Sequence, residues 1–75
     1  MVFLSGQVRA PGAYAVEDGT TVLQALTLAG GVTDRGASGR IRILRTVNGK
    51  KLEIKAKMGD PVLPGDTVVV PERLF

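Results

Sequence analysis

Gly19-Thr20-Thr21-Val22-Leu23-Gln24-Ala25-Leu26-Thr27-Leu28-Ala29-Gly30-Gly31 reads as a complete short helix, with a start, one apolar stripe and a stop. Thr21 is placed to accept a hydrogen bond from a free N–H of the first turn, and Gln24, three residues on, to bond back to it, which is the capping-box pattern. Val22, Ala25, Leu26 and Ala29 recur at helical spacing, flanked by Leu23 and Leu28, so the expected stripe is wide enough to cover a sheet and leaves little exposed but Gln24 and Thr27. Gly30 and Gly31 supply the positive φ with which helices commonly end. A helix of about residues 22–29 lying on a sheet follows, and the strands must come from the flanking segments.

Upstream, Val2, Leu4, Gly6 and Val8 alternate with Phe3, Ser5, Gln7 and Arg9, as a half-buried strand does. Gly6 interrupts it, which marks a bulge or a close backbone approach. Ala10-Pro11-Gly12-Ala13 has the chemistry of a type II turn, after which Ala13 to Val16 returns beside the first strand. Glu17-Asp18-Gly19 then leads into the helix.

Downstream, 32–39 is rich in small residues, shows no period and reads as a loop. Arg40 to Val47 and Lys50 to Lys57 flank Asn48-Gly49, a strong hairpin signal. A two-residue turn there sets Val47 opposite Lys50, and by the same count Ile43 opposite Ile54, Ile41 opposite Ala56, and Arg45 opposite Leu52 at the rim. A slip of one residue would set charges against the buried isoleucines. Arg42, Leu44, Lys51, Glu53 and Lys55 fall on the other face. Leu63-Pro64-Gly65-Asp66 repeats the type II chemistry, and Thr67 to Val70 is an apolar β-branched run expected to be a central strand buried on both faces. Pro71 ends it.

The architecture expected is α+β: a β-grasp-like roll of four to five strands packed on one short helix, with the first and last strands as the central pair. At 75 residues the chain has room for one domain, 1–75, burying roughly 60% of its unfolded surface. Composition is that of a globular module, 44% hydrophobic and 23% charged. The absence of cysteine and histidine removes disulfides, thiolate sites and the usual catalytic base. The acids sit at turns with no evident partner, so no enzyme is expected, and neither a cofactor nor a metal. The net charge of +3 is unevenly spread. Arg40 to Lys57 holds seven basic residues against Glu53, a net +6, while the remainder sums to −3.

Three segments together, Ser5 to Tyr14, Thr21 to Gly31 and Val62 to Arg73, resemble the soluble-ligand-binding β-grasp (SLBB) domain in the version found in bacterial polysaccharide export proteins. The likeness spans nearly the whole chain. It implies a periplasmic module of an outer-membrane or envelope export assembly, repeated around a ring, that contacts glycan or neighbouring copies. The chain opens directly on an apparent strand and closes on Leu74-Phe75, so a fragment of a longer protein is expected, with its targeting signal and any membrane attachment elsewhere. No binding residue transfers with the resemblance.

The residues themselves suggest Arg40, Arg42, Arg45, Lys51 and Lys55 as candidates for an acidic polysaccharide, since arginine pairs bidentately with carboxylates, and Tyr14 as the aromatic to lie against a sugar ring. The plainer reading is that the charges solvate a hairpin face and protect an edge strand, and that Tyr14 is a core residue with a wet hydroxyl. Leu74 and Phe75 are candidates for contact with another copy, and a purely structural ring-assembly domain is the alternative function. A nucleic-acid module is a further alternative on charge alone, but no aromatic is interleaved with the basic residues, so nucleic acid is not the expected partner.

Overall fold

The computed structural model describes residues 1–73; the suggested contact residues Leu74 and Phe75 lie outside that range. Five strands form one sheet: β1 (Val2–Gly6), β2 (Gly12–Tyr14), β3 (Arg42–Val47), β4 (Lys50–Lys55) and β5 (Thr67–Val70), in the order β2-β1-β5-β3-β4. β1 and β5 run parallel at the centre and every other pairing is antiparallel. One helix, α1 (Val22–Leu28), packs on this sheet, which is the expected α+β roll.

α1 begins where its cap requires. The Gln24 N–H donates to Thr21 Oγ1 at 3.2 Å and the Thr21 N–H to Gln24 Oε1 at 3.0 Å, closing the capping box. It ends with Gly30 and Gly31 at φ of 83° and 91°, and the Gly31 N–H returns to the Leu26 carbonyl at 2.8 Å. The stripe is narrower than expected: Val22, Ala25, Leu26 and Ala29 are buried, whereas Leu23 and Leu28 are 54% and 55% exposed. Two turns lie over the sheet with only one line of contact, and the flanking leucines fall outside it. Thr21→Ala removes the side-chain half of the cap. It is expected to lower stability by about 1 kcal/mol, read as a shift in urea midpoint with unchanged slope.

The hairpin has the expected register throughout, from Val47 opposite Lys50 to Arg42 opposite Lys55, about Asn48 at φ 51° and Gly49 at φ 77°. The Ala56 N–H extends the pairing to the Ile41 carbonyl. The second Pro-Gly turn also forms, with Gly65 at φ 90° and the Asp66 N–H on the Leu63 carbonyl.

The first does not. Gly12 already belongs to β2, opposite Leu4, with φ 155°, far from the type II value of about +80°. The chain reverses over the wider span 7–11, pulled out by bonds from Arg9 and Ala10 to the Gly31 and Ala29 carbonyls. The segment 32–39 is also more ordered than its composition suggests: Val32 bridges Val8, Gly36 bridges Glu72, and Ser38–Arg40 forms a 3-10 turn.

Val2, Leu4, Ile43, Val68 and Val70 point to the helix and are buried with it. β5 is central in the sheet, yet its burial alternates: Val68 and Val70 are buried, Thr67 and Val69 only half so. The continuous apolar run therefore does not mark a strand covered on both sides. α1 packs on one face of the sheet, short of Leu52 on the edge strand β4, which stays exposed, and the reverse face is open.

Candidate functional site

The basic residues of 40–57 divide by strand parity and by position along the hairpin. Arg40 leaves the 3-10 turn just before β3, Arg42 opens β3, and Lys55, opposite Arg42, closes β4. These three line one hollow of about 270 Å³ together with Gly39, Ile41 and Ala56. Arg42 is bonded through Nη1 to Glu53 Oε1 on the neighbouring strand, both side chains about half exposed. Such an exposed pair contributes little to stability but orients the guanidinium. Among the described residues Arg40 and Lys55 have no carboxylate at ion-pair distance.

Two larger hollows compare poorly as anion sites. That beside the loop from β2 to α1, about 520 Å³, has Glu17 and Asp18 as its ionisable lining. That under the hairpin tip, about 350 Å³, contains Arg45 and Asp66, which neutralise each other. Of the three, the small one keeps an uncompensated positive charge.

Arg45 is thus placed apart from the other candidates. It shares strand parity with Ile41 and Ile43, so it points to the helix side, where Nε meets Asp66 Oδ1 at 3.0 Å and Nη2 meets Oδ2 at 2.8 Å. Asp66 is 1% exposed and also accepts the Leu63 N–H at 2.8 Å. The hydrogen bond to Asp66, reinforced by its charge and opposed by desolvation, raises the guanidinium pKa above its ordinary value. Stability from a raised basic pKa is present below the unfolded value and lost only as pH rises through the folded one, so Arg45 stays charged across the whole working range. The acids are therefore not all without partners: Asp66 at its turn holds Arg45, Glu53 on β4 holds Arg42, and Glu72 lies 4.0 Å from Arg35.

Lys51 is on the open face but opposite Thr46, near the tip and four residues, roughly 13 Å, along the strand from Lys55. Tyr14 is farther still. It lies on β2, at the sheet edge opposite β4, about three strand spacings or 14 Å from β3. Its ring packs against the core and its hydroxyl donates to the Ala10 carbonyl. Both the lock residue Asp66 and an exposed aromatic, Phe3, were absent from the expected set. Signals for each existed: a turn-closing acid for Asp66, and for Phe3 its alternation with buried Val2 and Leu4.

Among the described residues, no group of three ligating side chains converges on a metal position, and no buried side-chain polar atom lacks a partner. No helix is long and apolar enough to cross a membrane. A helix-backed, β-grasp-like sheet thus carries a cationic hollow at one corner. The family model for the SLBB domain matches residues 1–55, and the chain belongs to that family. Membership points to a ligand-binding module, and the family is not known for catalysis. No curated protein matches the chain in sequence. The segment after residue 55 is integral to the sheet, because β5 lies between β1 and β3.

Proposed function

We propose that residues 1–75 form one non-catalytic domain of a longer polysaccharide export protein of the bacterial envelope, and that it binds the carboxylates of an acidic glycan in the hollow of Arg40, Arg42 and Lys55. The observation that carries this is that Arg40, Arg42 and Lys55 line one concavity with a single, exposed counter-charge. Arginine's planar fork and the lysine's point charge together suit a carboxylate that keeps part of its hydration. Family membership supports a binding role. The periplasmic location and contact with other copies of the export protein belong to this same reading.

The test follows backbone amide shifts of the labelled chain during titration with hyaluronan oligosaccharides, which carry a glucuronate at every second sugar, and with neutral maltooligosaccharides. Shifts are expected around Arg40, Arg42 and Lys55 with the acidic series alone, and salt should weaken them because the charges are exposed. Arg40→Ala and Lys55→Ala should each weaken binding about tenfold or more, the loss typical of a hydrogen bond to a charged group. Silence with every acidic oligosaccharide would overturn the proposal.

A further inference from the structure

The reverse face of the sheet carries more than Arg42 and Lys55. Phe3 is 46% and Leu44 41% exposed there, with Thr67 and Val69 half-buried between their strands. The register sets Phe3, Thr67 and Leu44 in one row across β1, β5 and β3, and Ser5, Val69, Arg42 and Lys55 in the next. The Phe3 ring, Arg42 and Lys55 thus share one face, with β1 and β3 two strand spacings, or roughly 10 Å, apart.

We infer that this open face is a track for a linear acidic glycan, with Phe3 as a second anchor, a deepening that rests on the carboxylate reading of the hollow. One carboxylate is held by Arg40, Arg42 and Lys55. A sugar ring farther along the same chain lies with its C–H face on the Phe3 ring, whose negative π-surface attracts polarised C–H groups.

Charge selects this occupant. A second copy docked face to face about a two-fold axis would set one net-positive face against another, since Glu53, already bonded to Arg42, is the acid that this face offers against Arg42, Lys51 and Lys55. An apolar protein surface would bury those cations without partners, a costly arrangement. A sugar polymer supplies both an anion and apolar ring faces along one strand of covalent structure. Glu53 stands in the row of Phe3 and Leu44, so the track is not uniformly positive. It therefore matches a chain whose charges are spaced by neutral sugars better than one with a phosphate at every unit. Nucleic-acid platforms also stack successive bases on several aromatics, and this face presents Phe3 alone among the described residues.

Hyaluronan di-, tetra-, hexa- and octasaccharides are titrated into the chain and its Phe3→Ala, Phe3→Leu and Phe3→Tyr variants, each checked for folding by circular dichroism. Affinity of the parent chain should rise with length and then level off. Phe3→Ala and Phe3→Leu should lose about three- to tenfold for the hexasaccharide, the worth of one aromatic contact, with the disaccharide unchanged, and Phe3→Tyr should retain it. Equal effects at every length, or no effect, overturn the track and leave the carboxylate hollow standing. Absence of all acidic-sugar binding by the parent overturns both. Tighter binding of an oligothymidylate than of the hexasaccharide, lost with Phe3, overturns the glycan assignment in favour of single-stranded nucleic acid.

Discussion

Asp66→Asn is expected to destabilise the domain by about 3 kcal/mol, the low end of the range for breaking a buried ion pair, since the Arg45 side chain remains 25% exposed. The substitution keeps size and shape but withdraws the charge that both guanidinium nitrogens face. A domain of 75 residues has roughly 4–11 kcal/mol in hand, so this is a large share of it, and a drop in melting temperature of more than about 10 °C should accompany it. Asp66 also ties together separate parts of the chain. Its side chain accepts from Leu63 and Arg45 and its carbonyl accepts the Phe3 N–H at 2.9 Å, so the turn, β1 and the hairpin meet there. If stranded charge is the cause, adding Arg45→Met to Asp66→Asn should cost less than the two single changes summed, because no ion is then left without its partner. A loss below about 1 kcal/mol for Asp66→Asn would mean that the pair is an ordinary surface contact.

Gly6→Ala should be comparably severe, at least about 3 kcal/mol, through a different cause. Gly6 sits at φ 84°, and a Cβ there would stand 2.2 Å from the Val70 carbonyl oxygen. That oxygen cannot retreat easily, since it accepts the Gln7 N–H at 2.9 Å where β1 and β5, the two central strands, close their parallel pairing. Gly49→Ala is the control. Its φ is 77° but nothing lies within 4 Å of the added carbon, so it should show only the left-handed strain of about 1–2 kcal/mol. Chemical denaturation of both variants separates the clash from the strain, and equal losses would dispose of the clash.

The positions that were legible from the sequence are those governed by near neighbours. Thr21 and Gln24 mark the helix start from three residues apart, and Asn48-Gly49 sets the whole hairpin ladder once the turn type is known. That ladder is also what brings Arg42 and Lys55 into register, so most of the basic hollow was implicit in the turn. The Pro11-Gly12 pair shows the limit. Its local preference for a tight turn yields to hydrogen bonds from Arg9 and Ala10 to the helix end, which draw the reversal wider.

Arg45 shows the same limit for function. Composition grouped it with the other cations, while its parity with Ile41 and Ile43 pointed inward, and only the closure of a turn 21 residues away supplied the carboxylate that occupies it. Tyr14 was separated from the cations by the strand order, which places β2 and β4 at opposite edges.

The sequence by itself therefore determined the helix limits, the hairpin register and the identity of the central strands, because each rests on capping, turn chemistry or apolar patterning that neighbouring residues decide. Tertiary structure alone decided which charges are neutralised, which three line one hollow, and that one face of the sheet stays open with Phe3 upon it. Ion pairing and coverage depend on which distant segments meet, and a helix of seven residues packs over the middle of one face of the sheet and leaves the other open.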